Sequence, residues 1–151
     1  GNDPSFHIPY LYNYCGAPWK TQQRTRFLLD VWFKDNIFGM PGDEDGGAMT
    51  AWAVFTAMGF YPVTPGEPVY TITSPVFTEV AIDVPGGTFK IVAPASSKVN
   101  KYIQCAELNG KPLNTPFITH DQIMEGGTLV LDLGPKPNKI WGTEGAYPYS
   151  K

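Results

Sequence analysis

The residues with the most chemical potential are three consecutive acids, Asp43-Glu44-Asp45, held between Gly42 and Gly46-Gly47. They stand at the entrance to an apolar stretch that reads as a helix, Ala48 to Met58. A helix N-terminus presents unpaired N–H groups and positive potential, which favours a carboxylate placed there in its anionic form. Such a carboxylate can take a proton from water as a general base, or hold a hard cation. Asp and Gly are also the ordinary residues of an N-cap and turn, so composition alone leaves both uses open. An EF-hand is excluded, because Asp43-x-Asp45-Gly46 lacks the third acidic position and the terminal Glu.

A second constellation, Asn2-Asp3-Pro4-Ser5 with His7, puts an amide, a carboxylate and an imidazole within one turn; its plainer counterpart is a helix cap with His7 packed. Trp19, Trp32, Trp52 and Trp141 could stack on sugar faces, although Trp at helical spacing more often belongs to a core. Trp19, next to Pro18 at a helix start, is the one expected to be exposed. Ser, His and Asp are present without a Gly-x-Ser-x-Gly elbow, and His120 reads as a strand or loop residue with no evident partner. Triad hydrolysis is therefore not expected. A phosphate loop and a dinucleotide fingerprint are also missing.

The elements that must position these groups change period near Pro62. Before it, the pattern is helical: a kinked segment from Pro4 to Tyr14, interrupted at Pro9, then a helix from Pro18 to Lys34. In that helix Phe27, Leu28, Val31 and Trp32 form the expected buried stripe, with Lys20, Gln23, Arg24 and Asp30 turned to water. The Ala48–Met58 helix, stopped by Gly59 and Pro62, is apolar on nearly every side and calls for more helical neighbours than the chain contains. Beyond Pro62 the period becomes two. Strands are expected at Val69–Thr73, Glu79–Val84, Thr88–Ala93, Tyr102–Leu108 and Thr128–Leu133, with turns at Pro85-Gly86-Gly87, Asn109-Gly110 and Gly126-Gly127. Asn-Gly at 109–110 is the strongest hairpin signal. The fold class is α+β: a helical part over 1–62 carrying the acidic loop 42–47, an antiparallel sandwich-like β segment over 63–142, and a loose tail over 143–151.

Composition excludes several classes of function. Eleven Lys and Arg against 14 Asp and Glu give a charge of −3, and no two basic residues adjoin, so neither a nucleic-acid footprint nor a basic membrane face is present. No apolar run approaches the roughly 18 residues of a membrane span. Cys15 and Cys105 form no CxxC; one long-range disulfide is possible, and two buried free thiols are the preferred reading. A start at Gly-Asn-Asp-Pro without Met reads as a piece of something longer, or a processed product.

Several motifs, in order, carry a family resemblance. Gly1-Asn-Asp-Pro-Ser5, Ile8-Pro-Tyr-Leu-Tyr12 and Pro18-Trp19-Lys20-Thr21 come first. Gly42-Asp-Glu-Asp-Gly-Gly47, Met49-Thr-Ala-Trp52 and Met58-Gly-Phe-Tyr-Pro62 follow. Ser74-Pro75 with Phe77, Leu108-Asn-Gly110, Gly126-Gly127 and Pro137-Asn138 with Trp141-Gly142 complete the set. Together they resemble the family 92 glycoside hydrolases, calcium-dependent exo-α-mannosidases. The resemblance implies the last helices of an (α/α)6 barrel followed by closing β-strands, with upstream domains of the same protein as partners. It also implies an inverting hydrolysis of α-mannoside glycans in a periplasmic or secreted enzyme. Carried over residue by residue, it makes Asp43 and Asp45 the candidates for the general base, while the acid lies upstream. Asp3, His7, Trp19 and Glu44 become expected sugar contacts, and Asn2 and Asp3 expected contacts of calcium. Asp3 stands where the family usually has Glu, Phe6 where it often has His, and Ala48 where a longer polar residue is expected. A different class stays open: a carbohydrate-binding or purely structural β-module without catalysis.

Overall fold

A computed structural model describes residues 2–144, 147 and 148 of the chain. The expected first helix is instead three short pieces: 3₁₀ turns at Asp3–Ser5 and Ile8–Tyr10, and a single turn α1, Leu11–Tyr14. Proline explains the fragmentation, because Pro4 and Pro9 each sit at the start of a turn, where a missing N–H costs nothing, and neither can continue the turn before it. Helix α2, Pro18–Trp32, begins on its proline as expected and ends two residues before Lys34. Helix α3, Ala48–Met58, has the expected bounds, entered through left-handed Gly47 and closed by left-handed Gly59.

The orientation of α2 departs from the expectation in one respect: Lys20, Gln23, Arg24 and Asp30 are exposed as expected, but the apolar stripe is not the buried face. Its buried residues are Pro18, Thr21, Gln22, Thr25 and Arg26, whereas Phe27, Val31 and Trp32 are exposed. The buried polar face is satisfied from across the interface: Thr25 Oγ1 lies 2.7 Å from Thr73 Oγ1, and Gln22 Oε1 accepts from the Ile103 amide at 3.0 Å. Buried polar groups are tolerated when bonded in this way. The apolar stripe accordingly faces outward.

Eight strands follow: β1 Phe60–Tyr61, β2 Val69–Ile72, β3 Glu79–Val84, β4 Gly87–Val92, β5 Tyr102–Leu108, β6 Lys111–Pro112, β7 Phe117–Thr119 and β8 Gly127–Gly134. They form two sheets, ordered β1-β2-β7 and β3-β4-β8-β5-β6. Pairing is antiparallel except between β4 and β8, which run parallel from Phe89↔Gly127 to Val92↔Val130. That parallel pair departs from the expected pattern; the long excursion through β5, β6, β7 and α4, His120–Met124, is what returns β8 in the same direction as β4. The short strands β1 and β7 and helix α4 carry too few residues to show a period. Helix α4 nevertheless has a capping box, with Thr119 Oγ1 accepting from the Gln122 amide and Gln122 Oε1 from the Thr119 amide.

The core runs without a break between the parts. Phe60, Ile72 and Ile118 of the smaller sheet join Phe89, Ile91, Leu129 and Leu131 of the larger one, and Phe55 and Met58 of α3 pack against them. Cys15 and Cys105 are free, as preferred, but both are exposed rather than buried. Part of the expected loose tail is docked: the Thr143 hydroxyl donates to the Ile140 carbonyl at 2.8 Å, and the Tyr147 ring meets Phe117 edge-on at 5.2 Å. Residues 145, 146 and 149–151 of that tail lie outside the described residues.

The Asn109-Gly110 turn forms as expected, with Leu108 paired to Lys111 and φ of 52° and 74° at the two turn residues. Two left-handed residues are what a type I′ hairpin requires. A Cβ on Gly110 would meet nothing within 4 Å, so Gly110→Ala isolates the backbone cost. The expected loss is about 1–2 kcal/mol, read as a lower urea midpoint with an unchanged m-value.

Candidate active site

The acidic loop is built from left-handed backbone: φ is 95° at Gly42, 51° at Asp45, 68° at Gly46 and 100° at Gly47. Glycine accepts such angles without penalty, and Asp is among the few other residues that do so readily. The result turns alternate side chains in different directions. Glu44 folds back onto α3, where its Oε1 accepts from the Thr50 amide at 3.2 Å and from the Thr50 hydroxyl, while its carbonyl accepts from the Met49 amide. Its other carboxylate oxygen, Oε2, is buried with no partner. Asp43 and Asp45 are exposed, and among the described residues neither side chain makes a hydrogen bond or an ion pair. The single ion pair among the described residues, Lys90–Glu79, is on the β segment.

Beside the loop is a cavity of about 390 Å³, whose wall includes Gly42 and Met49 of the loop and helix start, Trp32 and Phe33 at the end of α2, and Ser5 and Phe6 of the N-terminal segment. Trp52 forms its floor: it is buried, stacks on Phe33 at 5.6 Å and 17°, and donates from Nε1 to the Phe6 carbonyl at 3.1 Å. One turn later Thr56 is hydrogen-bonded to the Tyr10 hydroxyl at 2.6 Å. Tyr10 is fully buried and stacks on Tyr61 at 5.0 Å, and burial drives its phenol far above the usual range. Residues 6 and 10 are thus fastened to residues 52 and 56, the same four-residue step on both sides. Burial, then the charge of Asp3, raise the Tyr61 phenol as well.

The two sequence constellations are therefore held against one helix, but not every expected contact faces the cavity. Asn2 and Asp3 are exposed; the Asn2 side chain accepts from the Asp3 amide at 2.8 Å and caps the first turn. His7 is exposed and heads the second turn without a side-chain bond of its own. Trp19 is only half-buried and stands apart from the cavity wall; the most exposed tryptophan is Trp32, at 55%. His120 has a partner after all: its Nδ1 is 3.1 Å from the Tyr70 hydroxyl, brought within reach by the pairing of β2 with β7. Phe6, Thr50 and Trp52 were not assigned positioning roles from the sequence. The only signal for Phe6 and Trp52 is the four-residue spacing of Phe6 and Tyr10, matched by Trp52 and Thr56; Thr50 carries none.

The described residues do not by themselves fit a calcium ion. They contain no group of three His, Cys, Asp or Glu side chains placed to share a metal, and the Asn2 oxygen is engaged by its own cap. A calcium ion takes about 6–8 oxygen ligands. No chemical step is assigned to calcium here.

Comparison with known proteins follows the same lines. A protein described as an uncharacterized secreted glycosidase of Arthroderma benhamiae is 41% identical over 95% of this chain, and the match covers 19% of that protein. A family GH92 inverting mannosidase of Bacteroides thetaiotaomicron superposes with a TM-score of 0.89 at 43% identity, over 95% of this chain and 20% of its own. A GH92 α-mannosidase of the same organism, solved in complex with mannoimidazole, gives 0.90 at 33% identity over 95% of this chain and 19% of its own. The chain thus spans about a fifth of the length of these relatives. The model of the glycosyl hydrolase family 92 catalytic domain matches residues 1–135, and the chain belongs to that family.

Proposed function

We propose that this chain forms the base-bearing part of an inverting α-mannosidase that hydrolyses terminal α-mannosides of glycans. The observation that carries the reading is the pair Asp43 and Asp45, flanking Glu44 on a left-handed loop beside the cavity and free of hydrogen bonds and ion pairs among the described residues. In an inverting hydrolysis one carboxylate accepts a proton from water as the water oxygen bonds to the anomeric carbon. The opposite side of that carbon releases the leaving oxygen, which takes a proton from a second carboxyl group. The two groups stand about 6.5–9.5 Å apart to admit the water. Asp43 and Asp45 supply the first role; the second belongs to the part of the enzyme outside this segment. Asp3, His7, Trp19 and Glu44 stay in the proposal as sugar contacts. Calcium stays as a cofactor of the whole enzyme, with Asn2 and Asp3 as the contacts this segment would contribute. Secretion is proposed on the description of the Arthroderma benhamiae relative.

The β segment serves in this reading as a brace. Its large aromatics Phe89, Tyr102, Phe117 and Trp141 are buried and Tyr70 is half-buried, so among the described residues of that segment Phe77 stands alone as an exposed aromatic ring rather than in a row suited to a sugar.

Proton NMR of the full-length enzyme acting on an α-mannoside tests the proposal. β-Mannose is expected to accumulate first and then mutarotate; initial α-mannose overturns it. The isolated 151-residue chain is expected to give no turnover, because loss of acid catalysis alone costs about 10²–10⁴-fold.

A further inference from the structure

We infer that Trp52 is a positioning residue for the proposed hydrolysis, holding the Asn2–Asp3 segment in register with the Asp43–Asp45 loop; the inference rests on the base assignment above. A series of hydrogen bonds, joined through the backbone of the residues that make them and of helix α3, connects the two. Trp52 Nε1 donates to the Phe6 carbonyl at 3.1 Å, the Phe6 amide donates to the Asp3 carbonyl at 3.1 Å, and the Asp3 amide donates to Asn2 Oδ1 at 2.8 Å. At its other end Trp52 belongs to α3, whose first turn is bonded to the acidic loop through Met49 and Thr50. Trp52 is 3% exposed and stacked on Phe33, so the indole cannot turn to make a different bond. The turn that carries Asn2 and Asp3 has little else to fix it: it buries no residue, and the next tie, at Tyr10, lies beyond a second turn. A short turn without a core of its own follows whatever its carbonyls are tied to.

The second tie, between Tyr10 and Thr56, lies one helical turn farther from the loop and provides the control. In the full-length enzyme, Trp52→Phe keeps an aromatic ring against Phe33 and removes the N–H donor together with the second ring of the indole. Its kcat on an aryl α-mannoside is expected to fall about 10- to 100-fold, because misplacement by about 1 Å costs on that order. KM is expected to change less than about threefold, a mutant pattern that marks a loss felt in the transition state. Thr56→Val removes a buried hydrogen bond from the same helix at a comparable cost in thermal midpoint, and its kcat is expected to stay within about twofold of the parent.

Normal kcat in Trp52→Phe, with turnover abolished in Asp43→Asn or Asp45→Asn, overturns the positioning role and leaves the base assignment standing. Parallel losses of kcat in Trp52→Phe and Thr56→Val, in proportion to their midpoints, overturn it as a folding effect. Normal turnover in both aspartate variants overturns the base assignment and the positioning role with it.

Discussion

Asp43→Asn and Asp45→Asn in the full-length enzyme are each expected to lower kcat/KM on an α-mannoside, the larger loss reaching about 10²–10⁴-fold. Asparagine has nearly the shape of aspartate but cannot accept the proton that water must lose. The loop should survive the exchange. Asp45 sits at φ of 51°, a left-handed conformation that asparagine tolerates as well as any residue with a side chain. Neither aspartate makes a hydrogen bond or ion pair among the described residues, so the substitutions break no contact that supports the fold. An equal thermal midpoint with a large loss of turnover is therefore the expected pattern. The residue whose replacement costs more is the base, and the other orients the water or the sugar. Unchanged hydrolysis in both variants would remove the base from this loop altogether.

What the sequence disclosed best was what depends on local rules. The bounds of Ala48–Met58 follow from Gly47 and Gly59, both left-handed, and from an apolar run with nothing to interrupt it. Glu79–Val84 and Tyr102–Leu108 are alternating or β-rich runs between turns, and Asn109-Gly110 dictates its hairpin. The acidic loop, too, was legible as a place where carboxylates meet a helix start. What failed required knowledge of the far side of each interface. The face of α2 was misread because Thr21, Gln22, Thr25 and Arg26 look like solvent residues until Thr73, Pro75 and the Ile103 amide are seen opposite them. His120 looked unpartnered because Tyr70, fifty residues earlier, is brought beside it only by the pairing of β2 with β7. Within the candidate site the same limit applies: the indole of Trp52 was visible as an aromatic, but the carbonyl of Phe6 that gives it a task belongs to a segment that 3₁₀ turns, rather than the expected helix, carry into place.

The polar face of α2 yields the second large effect, on stability. Arg26 is 3% exposed and, among the described residues, has no carboxylate hydrogen-bonded to it. Its guanidinium instead donates to the Pro75 carbonyl, to Ser96 Oγ at 3.3 Å and to the Ser97 carbonyl at 2.7 Å, with Ser96 Oγ itself donating to the Pro75 carbonyl at 2.7 Å. Burial lowers its pKa, with Asp30 opposing from the same helix, so desolvation charges a toll on the cation. Arg26→Leu keeps much of the aliphatic stem, removes that toll and leaves the Ser97 carbonyl without its donor. Hydrogen bonds to charged groups contribute about 1.5–3 kcal/mol each. Two such bonds less the relieved desolvation give an expected net loss of about 2–4 kcal/mol, read from urea denaturation at constant m-value. A loss under about 0.5 kcal/mol, the size typical of an ordinary surface change, would mean that the bonds merely offset the burial of the charge. The larger loss would identify what fixes α2 to the β segment. With its buried polar face committed to the turns after β2 and β4 and to β5, the helix turns Phe27, Val31 and Trp32 outward beside Lys20, Gln23, Arg24 and Asp30, and Trp32 reaches the wall of the cavity next to the acidic loop.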